Sequence, residues 1–400
     1  MMDTASARRV ASSNWIAVTM IVGSGIAAAM QAGKAAIAAP LLQTDLGIGL
    51  TAIGWLAGVF ALTGFIGGIP AGACVVRFGA RRMLIIGLLI TAAGGTLGAT
   101  LSGLPGLFTG RLIEGAGFLL VTVAAPSLLD EVVQSAHRDL AFALWSCFMP
   151  VGMAAAMVAG PLFRHWPVMW LAGSALPLAI CAIVPFVIAA SGQGRPLSLD
   201  GPRRDVLTVS RDRKSLGLSL SFALYSLIFF AMFSFLPVLL MQRLGVTLQM
   251  AGLLSALASA VNVIGNLTAG LLLSRGLSRA MLLIIAFVIV GVVGFGIFLP
   301  GLPDNGVFAL CLVFSAAGGV IPAILLSSAP IVAPTAGLVP IVMGLIMQGN
   351  NLGQILGPTA IGAALDRFGW QSAAYIVAAA ASLAVIVVLS TLTRRDFTGA

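Results

Sequence analysis

Residues 14–42 read NWIAVTMIVGSGIAAAMQAGKAAIAAPLL, an apolar run whose single charge is Lys34. A helix needs about 20 such residues to cross the ~30 Å hydrocarbon core of a bilayer. Runs of comparable length recur along all 400 residues, of which 60% are hydrophobic and only 8% charged, with mean hydropathy +1.10. So few charges cannot clothe a water-soluble domain of this size. The first run is too long for a secretory signal and has no clear cleavage site, so it is read as a retained span. The composition defines an all-α membrane protein crossing the bilayer many times.

Breaks between the runs give twelve expected spans. The first six lie near 14–42, 51–75, 83–103, 105–129, 140–163 and 166–190. The second six lie near 216–241, 248–273, 280–299, 306–328, 336–364 and 371–392. Between them, SGQGRPLSLDGPRRDVLTVSRDRKS (191–215) is polar and basic. The domain reading follows: a six-helix bundle over 1–190, a cytoplasmic linker over 191–215, and a second bundle over 216–400. With the N-terminus in the cytoplasm, sixteen of the 21 basic residues fall inside, including Arg8, Arg9, Arg138, Arg195, Arg203, Arg204, Arg394 and Arg395. Outside loops hold Arg164, Arg243 and Arg367. Basic residues are retained on the cytoplasmic side, so both termini are placed there, in a cytoplasmic (inner) membrane. The formal charge of +9 thereby has a topological origin and does not call for nucleic acid. Contacts with anionic lipid headgroups are a further expectation for the basic linker.

The halves repeat at a nearly constant offset. Pro40 pairs with Pro237 and Gly160-Pro161 with Gly357-Pro358 at 197, while Leu46-Gly47 pairs with Leu244-Gly245 and Arg77 with Arg275 at 198. Four matches in order indicate a duplicated unit, the plan of carriers whose halves rock about a midplane site. Lys34 aligns with uncharged Ala231, and Arg111 and Glu114 have no charged counterparts in the tenth span. Features confined to one half are candidates for substrate chemistry.

GACVVRFGARR (72–82) resembles the signature loop of the major facilitator superfamily, Gly, three residues, Asp, Arg, any residue, Gly and basic residues. Gly72, Arg77, Gly79, Arg81 and Arg82 match, but Val76 stands at the acidic position. In that family the Asp helps latch the halves on the cytoplasmic side, so the resemblance leaves this latch incomplete here. The copy from Gly270 to Arg279 has Ser274 at the acidic position. GRLIEGAGF (110–118) resembles the family's span-four motif, whose Arg is associated with proton coupling or substrate binding. KAAIAAPLLQTDLGI and LWSCFMPVGM (144–153) are similar to segments of anion and cyanate-type carriers. The resemblance implies twelve helices in two pseudo-symmetric bundles, an alternating-access carrier without a cofactor, acting as a monomer on a small anionic solute and coupled to protons.

Lys34 is read either as snorkelling to the outer interface or as facing the interior, where its ammonium would receive an anion. Gln31 shares its face at i−3, and Arg111 and Glu114 pair at i, i+3. Glu114 is the acid placed deep in a span and the candidate for proton coupling, with Arg111 beside it. Asn262, Asn266, Gln348, Asn350, Asn351 and Gln354 are either helix-to-helix glue or cavity lining, the candidate substrate ligands among them being Asn262, Asn266, Gln348 and Asn351. Trp145, Phe148, Met149 and Tyr225 are read as cavity walls or plain packing. Gly160-Pro161 and Gly357-Pro358 are expected to kink their spans and serve gating with the loop motif. Two residues after Gly160-Pro161, Arg164 and His165 stand in place of the Gly-Gly of drug antiporters, which disfavours drug efflux, the alternative reading. Cys74, Cys147, Cys181 and Cys311 lie in or beside apolar runs and read as buried thiols rather than metal ligands. His137 and His165 fall on opposite sides of the membrane, so the histidine and acid clusters of a membrane enzyme are missing.

Overall fold

The structure is a computed structural model that describes residues 13–101, 103–134, 137, 141, 144–189, 202–299, 302–334 and 339–392. The expectations for Arg8, Arg9, Arg138, Arg195, Arg394 and Arg395 and for linker residues 191–201 lie outside the described residues, as do the side chains of Val76, Arg203, Arg204 and Ser274. Long helices carry the apolar runs: α1 Trp15–Ile37, α2 Leu50–Phe78, α3 Ala80–Thr100, α4 Gly103–Val132, α5 Phe148–Ala159 and α6 Trp166–Val187. The second half gives α7 Arg213–Leu244, α8 Leu248–Ser274, α9 Arg279–Phe298, α10 Asp304–Val332, α11 Val339–Phe368 and α12 Gln371–Thr391. No strand occurs among the described residues. Among the described residues, eleven stretches are long and apolar enough to span a membrane. The twelfth helix, α11, is diluted by Gln348, Asn350, Asn351 and Gln354.

Three local expectations need correction. The run 14–42 is not one helix, because Pro40 lacks an N–H and its ring opposes the carbonyl four residues back. α1 therefore ends at Ile37, and a short helix, Ala39–Leu46, follows and stops at the left-handed Gly47, φ 65°. Gly160-Pro161 does not kink a continuing helix, since α5 ends at Ala159 and Gly160–Leu162 forms a 3-10 turn. Its counterpart Pro358 does lie inside α11. Finally, the linker is part helix: Pro202–Arg211 is helical and α7 begins at Arg213, behind an Asp212 side chain that caps Ser215 N–H.

The repeat is visible in geometry. Gly47 N–H donates to Gln43 O and Gly245 N–H to Met241 O, and both glycines are left-handed. The donors and acceptors are each 198 residues apart. Ala231, opposite Lys34 in the repeat, sits where α11 presses on α7, for a Cβ on Gly357 would lie 3.1 Å from Ala231 N. A long charged side chain has no room there.

Within a bilayer, apolar surface gains little by leaving lipid, so helices associate through close packing of small residues. A Cβ on Gly94 would sit 2.7 Å from Gly110 O, and one on Gly110 2.6 Å from Gly98 Cα, which brings α3 against α4. Gly115 meets Phe60 O and brings α4 against α2. Across the halves α2 packs along α11 and α5 along α8. Their contact runs from the Gly49 end of α2 to Gly68, where Gln348 Nε2 donates to Phe65 O at 3.2 Å. On the α5–α8 side Ser259 Oγ donates to Pro150 O at 3.0 Å. Nearer the basic loops, a Cβ on Gly72 of α2, or on its counterpart Gly270 of α8, would meet nothing within 4 Å.

Candidate functional site

The charged residues of the first half meet in one place. Close glycine packing puts Glu114 of α4 beside Lys34 of α1, and Gly95 of α3 leaves the space, since a Cβ there would lie 2.8 Å from Glu114 Oε1 and 3.5 Å from Lys34 Nζ. Lys34 Nζ forms an ion pair with Glu114 Oε1 and donates to Gln31 Oε1 at 2.8 Å. Arg111 Nη1 donates to Glu114 Oε2 at 2.7 Å and to Gln31 O at 2.6 Å, and Arg111 Nε donates to Leu56 O at 3.1 Å. Gln31 Nε2 donates to Gly173 O at 2.9 Å, tying α1 to α6. Two rings complete the shell: Trp170 lies 4.7 Å from the ammonium and Phe60 4.4 Å from the guanidinium. Such contacts favour desolvated cations.

Arg111 and Glu114 are 0% exposed and Lys34 is 4% exposed. Lys34 thus faces the interior of the first half, and the snorkelling alternative fails. The expected Arg111–Glu114 pair is present, and the pairing of Glu114 with Lys34, eighty residues away, is new. Two cations share one carboxylate. Among the described residues, Arg111 Nη2 and Trp170 Nε1 are buried without a partner, which leaves two donors aimed at no acceptor there.

A crevice of about 200 Å³ lies between α1, α5 and α6 with Gln31 and Lys34 on its floor. Ala172 and Leu176 on its rim are exposed. A larger hollow of about 420 Å³ lies far away, beside Arg243 and Trp370. There Arg243 donates to Ile297 O and Leu299 O at 3.3 and 3.1 Å, and Trp370 Nε1 to Gln242 Oε1 at 2.9 Å. Its polar groups serve loop packing.

The other expected residues fall into separate groups. Trp145 and Phe148 stack at 4.4 Å against Gly25 of α1 and continue through Phe118 to Phe60, an aromatic row that ends at Arg111. Tyr225 rests in an aromatic ladder on α7 with Phe222 and Phe229. Asn262 Nδ2 donates to Ser315 O at 3.0 Å and Asn266 Nδ2 to Asn262 Oδ1 at 3.0 Å, so these amides join α8 to α10 and stay within the second half. Gln348 and Asn351 lie on the α2–α11 seam, Asn351 donating to Met347 O at 2.8 Å beside Gly64. Among the described residues, no hydrogen bond or ion pair joins Gln31, Lys34, Arg111 or Glu114 to the second half. Arg81 Nη2 donates to Pro185 O at 2.8 Å, while Arg77 and Arg82 are exposed beside Gly79, φ 88°.

Sequence reasoning missed Phe60 and Trp170, which carry no signal distinct from other aromatics. It also missed Asp366 at the end of α11. Asp366 has a signal: Gly362, three residues, Asp366, Arg367, Phe368, Gly369 repeats the loop pattern of Gly72–Gly79 with the acid present.

A helical bundle of this size, duplicated about a central seam and holding buried charge in one half, defines a membrane carrier rather than an enzyme. The profile of the Major Facilitator Superfamily matches residues 20–339, and the chain belongs to that family. Among solved structures the fold is similar to a D-xylose-proton symporter (TM-score 0.78, 15% identity, covering 97% of this chain and 100% of that one). It is also similar to a bacterial homolog of the human lysosomal transporter Spinster (TM-score 0.75, 17% identity, covering 96% and 98%). Among curated proteins the chain is 29% identical over 139 residues to the inner membrane transport protein YajR of Escherichia coli, covering 33% of this chain and 30% of that one. It is 26% identical over 350 residues to monocarboxylate transporter 13 of Bos taurus, covering 85% and 80%. The chain spans about a third of the length of the first curated relatives it matches.

Proposed function

We propose that this transporter carries a small anion, a monocarboxylate or an inorganic anion such as cyanate or nitrate, together with a proton. The observation that carries the reading is the excess of buried positive charge: Lys34 and Arg111 share Glu114 alone. A buried cation without a counter-charge is costly, so the site favours one more negative group. Protonation of Glu114 would release both cations, and an anion could then take its place on Lys34 Nζ and the unpartnered Arg111 Nη2. Loss of the proton on the far side would restore the ion pairs and expel the anion. Proton and anion would thus move together, and the halves would rock about the α2–α11 and α5–α8 seams. The extended likeness to monocarboxylate transporter 13 supports the carboxylate class.

The same reading takes residues 1–190 and 216–400 as two bundles, acting as a monomer in the inner membrane with the basic loops and both termini cytoplasmic. Export of hydrophobic compounds is the second reading. It rests on the Trp145–Phe60 aromatic row and on a partial likeness to the multidrug efflux pump LfrA of Mycolicibacterium smegmatis, 25% identical over 201 residues. Vesicles containing the purified protein separate the two. Uptake of a labelled monocarboxylate driven by an inward proton gradient supports anion symport. Transport of a lipophilic cation and not of the acid would replace it with export.

A further inference from the structure

The first half of the repeat has lost a helix cap that the second half retains. α8 is capped by Thr247, whose Oγ1 accepts from Met250 N–H at 3.3 Å. The position 198 residues earlier is Gly49, the N-cap of α2, which has no side chain to offer. The first N–H groups of a helix lack partners within it and carry its positive dipole end. In α2 they are met from the other half: Asp366 Oδ1 accepts from Leu50 N–H at 3.2 Å, and Asp366 Oδ2 accepts from Thr51 N–H at 2.9 Å and Thr51 Oγ1–H at 2.6 Å. The glycine eases this approach, because a Cβ on Gly49 would lie 3.0 Å from Asp366 Oδ2.

We propose that Asp366 is a gate pin, which caps α2 from the end of α11 and holds the two halves together at the end opposite the basic loops. The loop bearing it shares spacing and conformation with the loop after α2. Gly369 and Gly79 are both left-handed, with φ 72° and 88°, and each donates its N–H four residues back, to Leu365 O and Val75 O. The acid therefore occurs in the α11 copy and is replaced by Val76 in the α2 copy. A carrier with its acidic pin at one end rests closed at that end, where Asp366 meets Leu50 and Thr51 here. The Asp366 carboxyl lies beyond the apolar part of α11. Burial acts to raise it, but its bonds to Thr51 and Leu50 outweigh this and hold it below the usual carboxylate range. The pin stays ionised at neutral pH.

The proposal rests on alternating access but not on the anion reading, so its test uses no substrate. Spin labels are placed at exposed Asp45 and Gln371 of the full chain with Cys74, Cys147, Cys181 and Cys311 replaced by alanine. Distance distributions are then compared. Loss of an exposed helix cap shifts an equilibrium about fivefold, so Asp366→Ala should enlarge the long-distance population by about that factor. Asp366→Asn should shift it less, because the amide oxygen still accepts, and Thr51→Val least. If Asp366→Ala does not yield a monodisperse protein, the two milder variants decide. Distributions identical to wild type in the variants that fold would overturn the proposal.

Discussion

Lys34 holds its charge in a helix because three groups of the first half surround it: the Glu114 carboxylate of α4, the Trp170 face of α6 and, on its own helix, Gln31 anchored on Gly173. Removing one member of a buried ion pair strands the other, at a cost of about 3–5 kcal/mol. The two ends of this network differ in that respect. Lys34→Gln leaves Glu114 with Arg111, whereas Glu114→Gln leaves two buried cations facing each other. Thermal unfolding in detergent should therefore show a larger fall in Tm for Glu114→Gln than for Lys34→Gln, and equal falls would contradict the shared carboxylate. A transport readout adds the coupling claim: uptake by Glu114→Gln, where the protein reaches the membrane, should no longer respond to a pH gradient. The i, i+3 pairing of Arg111 and Glu114 was legible in the sequence because helix geometry fixes it. The Lys34–Glu114 pair was not, since it depends on how α1 docks on α4, and a lone lysine near a helix end fits snorkelling equally well.

At the scale of the helix, glycine decides what can be neighbours. Gly95 illustrates this, for the space its missing side chain leaves holds Ser174, Glu114 and Lys34 Nζ together. Gly95→Val would press α3 against Ser174 of α6 and push on the ion pair, and overpacking of this kind costs about 1–3 kcal/mol. We expect a lowered Tm and loss of uptake for Gly95→Val, while Gly23→Val, at a position with nothing within 4 Å, should leave both unchanged. Span number and order were readable from hydropathy, even though the amides of α11 weaken its signal. The ends of elements were less readable. Gly160-Pro161 and Gly357-Pro358 are the same dipeptide at repeat-related positions, yet one terminates α5 and the other sits within α11, because residues 160–166 turn back into α6 whereas α11 runs on to Phe368. Periodicity alone does not distinguish them.

For the whole molecule, the duplication and the charge bias describe a shell, and the departures from symmetry describe its content. Lys34 faces Ala231 across the repeat, Gly49 faces Thr247, and Val76 stands where the α11 loop has Asp366. Each was visible as a mismatch in the sequence, but its meaning depended on contacts between distant spans. The proposed orientation makes its own prediction: a reporter fused after residue 400 should be active only as a cytoplasmic enzyme, and one placed at Arg164 only as a periplasmic one. The opposite pattern would invert the topology. The central claim, that Lys34 serves a small transported anion, is tested most directly by uptake of a labelled monocarboxylate into proteoliposomes under an inward proton gradient, comparing wild type with Lys34→Gln at equal reconstituted amount. The account predicts gradient-driven uptake by wild type and none above empty vesicles by Lys34→Gln. Full uptake by Lys34→Gln would contradict it.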